Sequence, residues 1–469
     1  MTAESRGDTT SVARSELMAL AAEVNGPVLA PGDEGFADEI ATWNQALVHR
    51  PLVAVGVTCA ADVQAAVRFA AVRDLPIAVV ATGHGAVVPA DNAVLINLRR
   101  LDQISIDENA RTATVGAAVE AQALIVAAAK AELAPISGSS PNVGVVGYTL
   151  GGGVSTTLGR TYGYAADQVL SAEVVTADGV LRRVDAETEP GLFWAIRGGK
   201  GNFGVVTSLT FRLVPMTRLY GGGLYYSAEH VGAVLAAYRA VVADAPDKLT
   251  VSFAFLRLPP LPFVPEPLRG VFTVHVRVAY LGSTSEGERL IARLREAAPR
   301  VIDAVRDMPY TEIAAIHADP VDPVPAYEIS TLLRDFPEEA VSALLAAAGP
   351  DAETPALMVE IRQLGGELGR EAKTPSAVGH RDAKFLFFAG TVGVPEMGEA
   401  FEGPLQTLVD ALEPWATGSK QVNFLSAIDV APERVAKAYE PATYARLRLV
   451  KGVYDPTNLF RINHNIPPQ

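Results

Sequence analysis

Three glycine-dense stretches constrain the fold of this chain more than any other feature. The first is Ala81-Thr82-Gly83-His84-Gly85, directly after the apolar run 76–80. The second runs from Gly138 to Gly153, and the third from Gly198 to Gly204. Glycine reaches φ > 0 and lets backbone come close to a neighbouring group. Flexible linkers are Gly/Ser-rich without branched or aromatic residues, whereas Val143, Val145, Val146, Tyr148 and Leu150 punctuate the second stretch. Backbone N–H groups left free along such paths suit a pyrophosphate. A lone histidine in a loop is most often a solvated or hydrogen-bonded side chain. With two further glycine stretches in the chain, the stronger expectation is that all three converge on one large, flat, phosphate-bearing cofactor, with His84 presented to it.

The pattern around these stretches mixes helix and strand. Residues 51–57 read as a strand and 62–71 as a helix, with Val63, Ala66, Val67 and Ala70 on one side. Residues 76–80 form a second strand, completing a β-α-β unit. A further strand (94–98), a hairpin (104–106 and 112–115) and an alanine-rich helix (122–130) follow. Asp178-Gly179 joins strands 169–176 and 180–184 as a hairpin turn. Gly199-Lys200-Gly201-Asn202-Phe203-Gly204 satisfies G-x-G-x-x-G. A nicotinamide-binding Rossmann unit needs a strand before that motif and a helix after it. Here a helical stretch (192–196) precedes it and a strand (205–211) follows, so that reading is excluded.

Beyond Pro215, helical stretches at 229–241, 286–297 and 395–412 separate strands at 249–256, 271–280, 356–363 and 384–392. Long antiparallel strands covered by helices on one face fit this order. The chain divides into a cofactor-binding part (1–215), an inserted substrate-binding part (216–420) and a C-terminal return to the first part (421–469). Residues 1–20 read as a loose tail leading into a helix.

The balance of 53 acidic against 39 basic residues, a formal charge of −14, argues against nucleic acid as a partner. No apolar run approaches the roughly 18 residues of a membrane span, and the polar N-terminus lacks the order of a secretory signal. The single cysteine, Cys59, excludes an internal disulfide and a cysteine metal site. The histidines show no metal-ligand spacing, so no metal is expected. These features fit a cytoplasmic protein, monomer or homodimer.

Taken together, Gly-His-Gly after a strand, Gly138-Ser139-Ser140-Pro141-Asn142-Val143-Gly144 with Leu150-Gly151-Gly152-Gly153, the run Phe193–Thr207 and the terminal Tyr454-Asp455-Pro456-Thr457-Asn458-Leu459-Phe460 resemble one family. It is the FAD-linked oxidases of the vanillyl-alcohol oxidase / p-cresol methylhydroxylase superfamily, in the berberine-bridge-enzyme-like branch. The resemblance runs from about Ala41 to the end. It implies an α+β, two-domain PCMH-type FAD-binding fold whose inserted substrate domain is an antiparallel sheet covered by helices. It implies that His84 bonds covalently to a methyl group of the isoalloxazine ring. Many relatives add a thioether from a cysteine at the position of Ser140, so the resemblance implies a single link here. Thr82, Gly83, Gly85, Ser139, Ser140, Val143, Gly144, Gly147, Tyr148, Gly151, Gly201, Asn202, Gly204, Val205, Asn463 and Asn465 are the expected cofactor neighbours.

Glu360-Ile361-Arg362-Gln363 is similar to the family's strand facing the flavin. Residues two apart on a strand share a face, so Glu360 and Arg362 point together, either as an outward ion pair or into a cleft. In the cleft, Glu360 is the expected general base, with Arg362 as its partner. The expected activity is oxidation of a small organic molecule, aromatic or polyketide-like, with FAD as acceptor and O2 as the final oxidant, in a secondary-metabolite or antibiotic pathway. The alternatives are a dehydrogenase of the same fold using another acceptor, and a catalytically silent flavin-holding protein that binds a metabolite.

Overall fold

A computed structural model describes residues 11–262 and 264–469. The expected tail lies partly outside these residues (1–10); the helix after it spans Arg14–Glu23. The β-α-β unit forms as expected from Val53–Gly56, the helix Ala60–Val72 and Ile77–Val80. Both strands pair in parallel with Val94–Asn97 between them, and Val28–Leu29 adds an antiparallel edge. The helix turns Val63, Ala66, Val67 and Ala70 into the core over this sheet.

A second sheet is antiparallel, in the order Ile104–Asp107, Thr112–Gly116, Val205–Arg212, Val169–Val175, Leu181–Asp185. Its core takes in the helix Pro190–Gly199 and, from the far end of the chain, Val422, Leu425, Val435, Tyr439, Leu447 and Ile466. The C-terminal segment thus packs back on this sheet. Its anchor is a buried ion pair, Lys451 Nζ to Asp455 Oδ2 at 2.6 Å, between the last turn of the helix Pro441–Tyr454 and the residue that follows it. The Lys451 ammonium also donates to the Asn202 and Phe460 carbonyls.

Residues 218–392 build a large antiparallel sheet whose order is Ile302–Asp303, Arg218–Ser227, Phe272–Tyr280, Leu249–Arg257, Met358–Gln363, Phe385–Val392, Ala326–Leu333, with Arg306–Pro309 pairing alongside Arg218–Ser227. Strand alternation gives it two different faces. Phe253, Phe255, Val274, Val276, Val359, Ile361 and Phe387 lie on one, under the helices Val231–Ala243, Glu338–Ala348 and Gly398–Asp410. The other face carries Tyr225, His275, Arg277, Ser252, Glu360, Arg362, Phe388, Ser330 and Glu328. The architecture is α+β with helices on one face of an antiparallel sheet. The strands Arg218–Ser227 and Ala326–Leu333 are additions to the sequence-based expectation. The expected helix at 286–297 is two helices, Thr284–Leu290 and Ala292–Glu296, broken at Ile291.

Candidate active site

The glycine stretches are neighbours in space. A Cβ on Gly144 would touch Thr82 at 3.5 Å, and one on Gly151 would lie 3.3 Å from Lys200 Cε. Several glycines let chain segments close on one another. Gly83 (φ +78) leaves room for Thr42, Gly138 and Gly153 for the ring of Tyr148, Gly151 for Asn423, and Gly204 for the Val175 carbonyl. Gly85, Gly147 and Gly201 differ: a Cβ on any of them would meet nothing within 4 Å. These three are bare backbone bordering open space.

His84 sits on the first stretch. Its Nδ1 lies 2.9 Å from Thr82 Oγ1, and its ring stacks on Trp43 at 4.4 Å and 14°. Its Nε2 is buried without a hydrogen-bond partner. Burial, partly offset by Asn142, pushes the imidazole down to about 4, so the ring is neutral at neutral pH. Ser140 Oγ donates to Asn142 Oδ1 at 2.8 Å. Ser139 and Val143 are half-buried on the same turn. Tyr148, on the short helix Val145–Leu150, has a buried hydroxyl with no partner. Burial raises its pKa well above the usual tyrosine value, against the field of Arg362.

The C-terminal return supplies another wall. Along 462–466 the chain alternates, with His464 and Ile466 turned into the core. Asn463 and Asn465 each hold a buried Oδ1 with no partner. Asn423 accepts from the Gly153 N–H at 2.7 Å and donates to the Tyr148 carbonyl at 2.9 Å, fixing the second glycine stretch.

Asn202 differs from the expectation for its side chain. Its amide donates to the Gly199 and His464 carbonyls and accepts from the Ile466 N–H, so the chain itself uses all of these groups. Asn202 therefore stitches the third stretch to the C-terminal return. Val205 and Gly204 are buried in strand packing against Val175, with Val205 1% exposed.

On the sheet's polar face, Glu360 is fully buried between two arginines. Arg277 Nη1 approaches Oε1 at 2.5 Å, and Arg362 Nε donates to Oε2 at 2.8 Å. His317 Nε2 lies 3.8 Å from Oε1, and Arg277 Nε donates to His275 Nδ1 at 3.3 Å. Burial alone would raise the Glu360 carboxyl, but the two guanidinium groups override it and hold it below the usual carboxylate range. This corrects the expected role. A carboxylate at 0% exposure, clamped by two cations and held low, is a poor proton acceptor for a substrate in a cleft. Arg362 does share its face, as the period-two reading requires, and its charge is felt by Glu328 and Tyr148.

Two residues here were not singled out from the sequence. Glu328 is half-buried two positions from Ser330; burial raises its pKa, against Arg362 and Lys200. Lys200 takes φ 53, a left-handed value rare for a side-chain-bearing residue. Burial lowers its ammonium to about 8, against Glu328 and Asp429. Both signals were present. Glu328, Ser330 and Leu332 alternate, and Lys200 interrupts a glycine run. His275 and Arg277 likewise alternate with valines in a recognised strand.

A bound FAD would supply partners for what this site leaves unsatisfied. Bare backbone at Gly85, Gly147 and Gly201 suits close approach of a phosphate-bearing ligand. The unpartnered His84 Nε2, Tyr148 hydroxyl, Asn463 Oδ1 and Asn465 Oδ1 are buried polar atoms of the kind a polar cofactor satisfies. The residues present fit the group. Among the described residues, no group of three or more His, Cys, Asp or Glu side chains could hold a metal ion.

Family comparison agrees with this geometry. Residues 51–185 match the FAD binding domain model, and residues 420–467 the model for berberine and berberine-like proteins. The (R)-6-hydroxynicotine oxidase of Paenarthrobacter nicotinovorans is 32% identical over 97% of this chain and 99% of its own. The crystal structure of 6-hydroxy-D-nicotine oxidase from Arthrobacter nicotinovorans superposes with a TM-score of 0.82 at 29% identity, covering 95% of this chain and 98% of that one. A xylooligosaccharide oxidase from Myceliophthora thermophila C1 shares the fold, at a TM-score of 0.82 and 20% identity over 97% and 99% of the two chains. With its cradle, its sheet and 97% of its length matched in this way, the chain belongs to the FAD-linked oxidoreductases of the berberine-bridge-enzyme-like branch of the vanillyl-alcohol oxidase / p-cresol methylhydroxylase superfamily.

Proposed function

We propose that this enzyme is an oxidase of a small aromatic or polyketide-like molecule, with FAD held by one covalent bond to His84 and O2 as the final electron acceptor. A tailoring step in secondary metabolism fits such a substrate. The observation that carries the reading is the neutral His84 imidazole, its Nε2 buried without a partner, beside three adjoining glycine stretches. Bound there, FAD would supply the two-electron acceptor for oxidation of a substrate C–H, with O2 as the final oxidant.

The chain's own residues then have distinct tasks. His84 tethers the ring, and Ser140, which carries a hydroxyl and no thiol, leaves that tether single. Gly85, Gly147 and Gly201 admit the ligand, while Thr82, Gly83, Ser139, Val143, Gly144, Tyr148, Gly151, Asn463 and Asn465 border it. Glu360 holds Arg362 in place, and Arg362 presents a fixed positive charge to the substrate side. Glu328, whose carboxylate makes no ion pair among the described residues and is raised by burial, takes a substrate proton. We assign flavin binding to residues 1–215 and 421–469 and substrate binding to 216–420. Packing of the C-terminal return on the second sheet supports that division. Similarity to a relative named as an oxidase supports O2 over another acceptor.

Acid precipitation of the purified holoenzyme tests the tether. The yellow colour stays in the pellet for the unaltered protein and moves to the supernatant for His84→Ala. Colour released from both overturns the covalent reading. Mixing photoreduced holoenzyme with O2 in a stopped-flow instrument tests the acceptor. Fast reoxidation is expected, and reoxidation as slow as that of free-standing dehydrogenases refutes the oxidase assignment.

A further inference from the structure

Attachment of a flavin through an imidazole requires the ring to be neutral and held in one orientation. The turn that carries His84 cannot supply that alone. Gly83 and Gly85 flank the residue, and a Cβ on Gly85 would face open space. Within the turn, the contact with Thr82 Oγ1 fixes one atom of the imidazole and leaves its plane free to rock. The missing constraint comes from the segment 41–46, which crosses the turn. Trp43 lies face to face with the imidazole at 4.4 Å and 14°.

Trp43 is itself held from two sides. Its backbone N–H donates to the Thr82 carbonyl at 3.0 Å, and its indole N–H donates to the Val321 carbonyl at 3.0 Å. Asn44 extends the clasp, exchanging bonds with Ala326 in both directions. Thr42 passes so close to the turn that a Cβ on Gly83 would stand 2.4 Å from it. The strap therefore joins the His84 turn to the segment that enters the strand Ala326–Leu333 of the large sheet.

We propose that Trp43 is the positioning residue for covalent flavin attachment. It holds the His84 imidazole in plane and covers one face of it, so that FAD resting in the glycine cradle becomes tethered. This rests on the tether reading above. In the tethering step a C–N bond forms between an imidazole nitrogen and a ring methyl carbon. One methyl C–H and the imidazole N–H are lost. Their two protons and two electrons reduce the ring and leave with O2 as H2O2. Trp43 takes no part in that exchange.

The test follows tethering of FAD added to apoprotein, read as the fraction of flavin retained after acid precipitation over time. Noncovalent FAD binding at neutral pH is measured in parallel. Trp43→Phe keeps a ring face and loses the bond to Val321, whereas Trp43→Leu fills space without a face. Noncovalent binding is expected in both. Tethering in Trp43→Phe stays near the unaltered rate, and in Trp43→Leu it falls by about two- to tenfold, the size a ring–ring contact supports. Trp43→Ala should resemble Trp43→Leu, and the Phe–Leu comparison decides the matter if the alanine variant fails to fold. Equal tethering rates in the phenylalanine and leucine variants overturn the proposal. Absence of acid-stable flavin in the unaltered protein overturns instead the tether itself.

Discussion

The two carboxylates on the polar face of the large sheet show how little a residue's identity says about its role. Glu360 and Glu328 are the same side chain on two strands of one sheet, separated by the strand Phe385–Val392. Glu360 has two guanidinium groups within ion-pair distance and no exposed surface. Glu328 feels Arg362 and Lys200 without pairing among the described residues. Removing one partner of a buried charge cluster leaves the rest uncompensated and costs about 3–5 kcal/mol. Glu360→Gln, which leaves Arg277 and Arg362 facing a neutral amide, is therefore expected to lower unfolding stability by that order in urea titration. Glu328→Gln should change stability by less than about 1 kcal/mol while lowering turnover. A stable Glu360→Gln protein would mean that the arginines find other partners. Part of this was legible from the chain. Period-two spacing puts Glu360 and Arg362 on one face, and the structure agrees. Which charges meet was not legible, because Arg277 and His317 reach Glu360 from elements 83 and 43 residues away in sequence (360 − 277 and 360 − 317).

Elements whose glycines serve packing were the hardest to read. Gly221, Gly222 and Gly223 interrupt the strand Arg218–Ser227, and such a run reads as a loop. Here their bareness has a cause. A Cβ on Gly223 would stand 2.3 Å from His275 Nε2, and one on Gly222 (φ +144) 2.2 Å from the Ala304 carbonyl oxygen. The helix Val145–Leu150 is hidden in the same way, between Gly144, Gly147 and Gly151. The hairpins and the β-α-β unit were readable because alternation and turn chemistry act locally. Gly287, in the helix Thr284–Leu290, sets local preference against packing. Propensity alone says that alanine there should stabilise the helix by about 1 kcal/mol. A Cβ would lie 2.3 Å from Cδ1 of Tyr220, whose hydroxyl is pinned by Arg295 Nη1 at 2.7 Å. Gly287→Ala is therefore expected to destabilise by about 1–3 kcal/mol, read as a lowered midpoint in thermal unfolding. A raised midpoint would show that Tyr220 yields.

At the scale of the whole molecule, buried neutral histidines set how the assembly responds to acid. Burial lowers His275 and His317, which sit by the arginine-flanked Glu360; the field of Arg277 lowers both further, and that of Arg362 adds to it at His317. Burial also lowers His464, to about 3, where its Nε2 meets the Ser426 carbonyl at 2.9 Å inside the C-terminal return. The ordinary histidine value is 6.5. Between that value and the lowered ones, the unfolded chain takes up protons that the folded chain refuses. The stability these rings contribute is therefore complete above about pH 6.5 and falls as the pH drops below it. Glu360 shifts the other way in timing: its folded value lies below 4.5, so its contribution persists until the pH falls past the carboxylate range. Acid should thus weaken the protein in two stages, histidines first. The expected outcome is an unfolding midpoint that declines from pH 7 to pH 5, with each titrating ring adding a slope of about 1.4 kcal/mol per pH unit. His464→Gln, whose amide can still meet Ser426, should flatten that decline by about one proton's worth. Hydrogen exchange along 420–467 would show the same region loosening early in the unaltered protein. An unchanged slope in His464→Gln would mean that the return segment opens before its histidine is asked to ionise.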